Sequence, residues 1–162
     1  MYGETLVQYG EDVRELLFTR IIDAPRALVF RAWTDPVHFA RWWGPHGMTN
    51  PICEMDLRVG GAYRIIMRDE TGHDHPVSGT YLEIVAPERL VMTVAAVDRT
   101  AQPVFLQTWT VTFAECEGKT RLTVVDRFAS AADRDAANQM GHAEGASQSF
   151  ERLAALVEGE SP

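Results

Sequence analysis

No apolar run in this 162-residue chain approaches the ~20 residues that cross a bilayer, so no membrane helix is expected. The opening stretch MYGETLVQYGEDVR has no basic segment and no apolar centre, and is not read as a secretory signal. Cysteine is scarce. Cys53 and Cys116 are read as small buried hydrophobes of a reducing cytoplasm rather than as a bridge. Neither adjoins a histidine or a helix start that would lower a thiol pKa, so no nucleophilic role is expected. Clustered basic residues are missing too. Asp and Glu number 23 against 15 Lys and Arg, giving a formal net charge of −8. Affinity for phosphate backbones needs clustered Lys and Arg, so no nucleic-acid partner is expected. The acidity reads as a solubility device. Also absent are the G-x-S-x-G elbow, the G-x-G-x-x-G loop, the P-loop, any internal repeat and any low-complexity tract.

What remains is an ordinary globular composition, 46% hydrophobic, in a chain long enough to bury one core. The expected organisation is a flexible N-terminal leader at 1–12, one domain over 13–158 and a tail at 159–162. Val13 to Ile22 has strand composition. Asp23-Ala24-Pro25 then stops the strand and opens a helix that presents Val29, Phe30 and Trp33 on one face. Asp35-Pro36 repeats the start signal, with Asp35 as N-cap of a second short helix ending near Gly44-Pro45. Period-two patterning follows in Asn50–Asp56, Gly61–Arg68, His75–Val85, Arg89–Ala96, Val104–Ala114 and Thr120–Phe128. Short turns separate most of these strands, which predicts an antiparallel meander; Asp98 to Pro103 is a longer connection. Ser130-Ala131-Ala132-Asp133 opens a long helix running to about Glu158, with a stripe at Met140, Ala143, Ser147, Phe150, Ala154 and Val157. That stripe must cover the sheet, because a curved sheet's apolar face needs a lid.

Four separated segments carry a family likeness: AWTDPVHFARWWGP, DLRVGGAYRIIMRD, VSGTYLEIVAPERLVMT and SFERLAALVE. In this order they resemble the START-like SRPBCC group. Within it, the chain is similar to the family named after the C-terminal domain of the activator of the heat-shock-protein-90 ATPase. The resemblance implies an α+β helix-grip fold. A curved antiparallel sheet of about seven strands would wrap round a long C-terminal helix, with two short helices after the first strand. It also implies an apolar cavity between sheet and helix, but fold alone does not name a ligand. The shared Trp42-Trp43-Gly44-Pro45 turn, Gly60-Gly61 pair and Pro87-Glu88-Arg89-Leu90 segment are architectural. Family members often carry a Gly-Trp pair in the last helix, where this chain has Gly145-Ala146. A methyl in place of an indole at 146 enlarges the cavity, unless Met67 or Trp109 fills the gap.

The first functional expectation is therefore a binder of a small hydrophobic or aromatic molecule, needing no cofactor. Its lining residues are taken from the inward strand faces, Tyr63, Ile65, Met67, Tyr81, Met92, Trp109 and Val111, and from the helix, Met140, Ala143, Ala146 and Phe150. The second is an enzyme of the polyketide cyclase or aromatase type, for which Asp126 and His142 are weak catalytic candidates. Asp126 shares the face of Leu122, Val124 and Phe128. It is either a polar anchor paired with Arg64, Arg68, Tyr63 or Tyr81, or a strand-end residue in solvent. His142 is a candidate for the pocket edge. The third reading is a chaperone-associated interaction module. His73-Asp74-His75 places two histidines on one strand face but lacks the third ligand of a zinc site, so no metal is expected. His38 and His46 flank the Trp42-Trp43 corner as surface or cavity-mouth residues. An edge strand or the long helix offers a surface for a homodimer. The expected compartment is the cytoplasm.

Overall fold

A computed structural model of the chain describes residues 3–97 and 103–159. It is built on one sheet of eight strands, all paired antiparallel, in the order β1-β2-β8-β7-β6-β5-β4-β3. Strand β2 is Glu15–Ile22, and α1 (Arg26–Thr34) and α2 (Pro36–Trp42) follow it directly. The two helices carry the chain from β2 to the far edge of the sheet, where β3 (Thr49–Met55) begins. From there β4 (Ala62–Arg68), β5 (Asp74–Val85), β6 (Arg89–Val97), β7 (Pro103–Cys116) and β8 (Lys119–Phe128) run as a meander back to β2. The Asp98–Pro103 connection, apart from the start of β7, lies outside the described residues, as do residues 1–2 and 160–162.

Two expectations are corrected here. The segment read as a leader contains a strand, β1 (Leu6–Tyr9), which pairs with β2 and raises the strand count to eight. All four β1 residues are exposed. The strand therefore buries no apolar face; the backbone ladder to β2 holds it, with the Arg134 guanidinium 4.4 Å above the Tyr9 ring. The long C-terminal helix is two helices, α3 (Ala131–Gln139) and α4 (His142–Glu158). Met140 ends α3, and Gly141 adopts a left-handed conformation, φ +87°, that starts α4 in a new direction. Ser130 caps α3 as expected, its hydroxyl accepting from the Asp133 N–H.

Period-two alternation gives the sheet one apolar face. On β7, Trp109, Val111 and Phe113 are buried, and on β8, Leu122, Val124, Asp126 and Phe128 are. Helix α4 lies on this face through Ala146, Ser149, Phe150, Leu153, Ala154 and Val157, a stripe of three- and four-residue steps. Ser147, placed in the stripe by the sequence reading, is only half-buried. Phe150 is the centre of the grip. Its ring meets Phe18 edge-on at 5.5 Å and lies 6.1 Å from Trp33 and 5.9 Å from Trp109. The aromatic stack continues through Trp33–Trp42 at 4.7 Å and Phe39–Trp43 at 4.9 Å, which fixes α1 and α2 to the same core.

Candidate functional site

The apolar face is not covered evenly. Toward the C-terminus of α4, Phe150, Leu153 and Val157 pack into the sheet. Toward its N-terminus, α4 presents the small residues Gly145, Ala146 and Ser149. Small side chains on one wall leave space, and a recess of about 410 Å3 opens there. Its sheet wall comes from the inward residues Met67, Val77, Val94, Phe105, Gln107 and Trp109, with His75 at the end of β5. Trp43-Gly44-Pro45 forms one rim, and Ala137, Met140, Gly141 and His142 at the α3–α4 break form another.

Of the residues expected to line a cavity, Met67, Trp109, Met140 and Ala146 do line this one. Met140 stands at the mouth, with 73% of its surface exposed. Tyr63, Ile65, Tyr81, Met92, Val111 and Phe150 do not line it; they are core. The five strand residues share the correct sheet face but lie further along the strands, where Phe150 and the other large residues of α4 close the space. Ala143 packs partly buried against the core and is also outside the recess. Position 146 does face the interior, at 7% exposure. Met67 and Trp109 stand on the same wall without filling the space.

Arg152, which the sequence reading passed over, sets the rim. Its Nη1 donates to the carbonyls of Trp43 at 3.0 Å, Gly44 at 2.8 Å and Pro45 at 3.2 Å, and Nη2 reaches Arg41 O at 3.3 Å. A cation is well placed on carbonyls at a helix C-terminus. Burial lowers the guanidinium pKa from its ordinary value without discharging it. Asn50 adds two bonds of 2.8 Å, to Ala40 O and Trp43 O, and the His46 N–H donates to Gln148 Oε1 at 3.0 Å. The Trp-Trp-Gly-Pro corner is thus bolted to α4 by hydrogen bonds as well as by packing. A lone Arg beside an apolar helical stripe carries no local signal for such long-range bonds.

The recess has one polar end. Asp126 is fully buried on β8, opposite Trp109 on β7 and Leu16 on β2. Its Oδ2 lies 2.6 Å from His142 Nε2, while Oδ1 has no partner. This overturns the reading of Asp126 as a solvent-facing strand end. It also replaces the four suggested partners. Tyr63 donates to Thr93 O at 2.6 Å, Arg64 pairs with Glu54, Arg68 pairs with Asp74, and the Tyr81 hydroxyl has no partner. Desolvation pushes the Asp126 carboxyl above its ordinary range, against the opposing pull of His142 and, more weakly, of Trp109. The Trp109 indole N–H itself donates to Gln107 Oε1 at 3.1 Å. The His142 and Phe128 rings meet nearly perpendicular, with centroids 5.3 Å apart. The two residues taken separately as weak candidates are therefore one hydrogen-bonded pair, with His142 on the recess wall and Asp126 behind it.

The remaining candidates have structural partners. His75 Nε2 lies 2.8 Å from Asp69 Oδ2, and His73 Nδ1 lies 2.7 Å from the Thr71 hydroxyl, both around the β4–β5 turn. His38 Nδ1 is 3.0 Å from Asp35 Oδ2, and His46 Nε2 is 3.5 Å from Glu151. Among the described residues, no three His, Cys, Asp or Glu side chains gather to hold a metal ion. Both cysteines are free. Burial, with smaller contributions from Asp35 and Glu54, pushes the Cys53 thiol up to about 11. No helix among the described residues is long and apolar enough to cross a membrane.

A curved sheet gripping a helix, with a recess between them, defines the chain as an α+β domain of the helix-grip class. The family described as Activator of Hsp90 ATPase homolog 1-like protein matches residues 23–158, and the chain belongs to that family. Solved structures extend the likeness. A protein of Mycobacterium smegmatis is 26% identical with a TM-score of 0.85, covering 98% of this chain and 99% of that one. One from Chromobacterium violaceum is 31% identical with a TM-score of 0.76, covering 90% and 99%. A Silicibacter pomeroyi structure described as AHSA1 is 23% identical, TM-score 0.74, covering 88% and 96%, and shows the fold alone. No curated protein matches.

Proposed function

We propose that the domain holds a small apolar molecule in the recess under the N-terminal half of α4. The observation that carries this reading is a space of about 410 Å3 walled by Trp43, Met67, Val94, Phe105, Trp109 and Ala146. That volume lies at the low end of small-molecule sites, which are mostly apolar with a few polar groups. The polar groups here include Gln107, Ser149, His75 at the rim, and His142 with Asp126 behind it. Thermal unfolding with and without small aromatic compounds tests the reading. A ligand at a hundred times its Kd stabilises by about 2.7 kcal/mol. Ala146→Trp, which places an indole in the space, should remove that stabilisation. Equal stabilisation of both proteins would mean that the compounds bind elsewhere.

The Asp126–His142 pair favours a second reading, proton transfer to or from a bound substrate in the manner of a polyketide cyclase. Under it, Asp126→Asn or His142→Ala would abolish turnover while leaving binding. A cytoplasmic location is part of the same proposal, in keeping with two free cysteines. Either edge strand, β1 or β3, would serve a homodimer.

A further inference from the structure

Among the described residues, the recess has no Lys, Arg, Asp or Glu in its lining. Two histidines do line it, and each turns its Nε2 to a carboxylate: His142 to Asp126 at 2.6 Å and His75 to Asp69 at 2.8 Å. His75 is 47% exposed at the side chain and belongs to the rim, whereas the His142 side chain is 21% exposed and its Asp126 partner 0%. The inner pair is therefore the one that a ligand in the recess meets away from bulk water.

A buried carboxylate bonded through only one oxygen is costly, and such departures from local rules concentrate at functional positions. It also fixes the imidazole. With Asp126 accepting, Nε2 carries the hydrogen, and Nδ1 is left as a lone-pair acceptor. Among the described residues, Nδ1 has no partner of its own. Among the described residues, the wall thus supplies no hydrogen-bond donor to that acceptor. A ligand carboxylate would supply none. It would also approach the field of Asp126, with no Lys or Arg among the described residues of the wall to offset it.

Resting on the reading of the recess as a ligand site, we propose that its ligand is a compact aromatic or alicyclic molecule with one weakly acidic hydroxyl. A phenol or an enol is the type, with its O–H donated to His142 Nδ1. Asp126 is the positioning residue: it sets the tautomer and strengthens the acceptor without touching the ligand.

Three probes of one size separate the chemistry: 2-naphthol, its methyl ether, and 2-naphthoate, each titrated by calorimetry into the full chain near neutral pH. The expected order is naphthol first, about tenfold tighter than the ether, with naphthoate weakest. Nitrogen-15 spectra of His142 should place its hydrogen on Nε2. His142→Phe combined with Asp126→Leu removes the pair without leaving a lone buried carboxylate, and should erase the tenfold preference. Equal binding of naphthol and ether to the wild type, or tightest binding of naphthoate, overturns the proposal and leaves the recess reading standing. If the double variant weakens naphthol and ether by the same factor, the pair shapes the recess rather than reading the hydroxyl, and the proposal falls. Failure of all three probes to bind the wild type overturns the recess reading itself, and this inference with it.

Discussion

Asp126 sits between Val125 and Arg127 on β8, on the face it shares with Val124 and Phe128, where a charge is least welcome, and none of its surface is exposed. Alternation along β8 made that face legible from the sequence. Its partner was not, because His142 lies 16 residues away across the break between α3 and α4. No local pattern encodes that approach. Burial raises the Asp126 pKa above its ordinary 3.8, so the folded protein holds this proton more tightly than the unfolded chain does. Stability from the group is therefore full below about pH 4 and declines as pH climbs through the folded value. Asp126→Asn has no proton to lose. Urea unfolding at a series of pH values should show the variant gaining on the wild type as pH rises from 4 toward neutrality. A difference independent of pH would contradict the raised pKa.

Elements depart from the sequence reading at both ends of the chain, for different reasons. Strand β1 escaped notice because all four of its residues are exposed, so no alternation marks it. The α3–α4 break is hidden in the sequence because three- and four-residue spacing runs straight through Met140 and Ala143. Met140 is in fact at the surface, and Gly141 resets the register. Gly141→Ala meets no atom within 4 Å, so its cost is the left-handed backbone alone. We expect a loss of about 1–2 kcal/mol in unfolding free energy, with faster amide exchange in α3. A neutral substitution would mean that the break does not depend on that conformation. Arg152→Met keeps the apolar stem of the side chain and removes the bonds to Trp43, Gly44 and Pro45. The expected cost is about 1.5–3 kcal/mol, measured by denaturant unfolding, together with weaker ligand binding as the rim loosens.

For the whole molecule, strand composition and period-two patterning placed seven of the eight strands, and start signals with three- and four-residue spacing placed the two short helices and the C-terminal helical region, read as one helix. The recess was harder. Tyr63, Ile65, Tyr81, Met92 and Val111 were chosen from the correct face, but a face has length, and the sequence does not say how far along it the large residues of α4 reach. The space lies where the helix turns small, at Gly145, Ala146 and Ser149, and one of those positions was legible as the missing indole. Ala146 is therefore the residue on which the account of the molecule turns. The most direct test is native mass spectrometry of the wild type and of Ala146→Trp, each isolated from the organism's own cells and compared with its denatured mass. The account predicts a reproducible extra mass on the wild type, released on denaturation and absent from the variant. A bare wild type, or the same extra mass on both proteins, would contradict it.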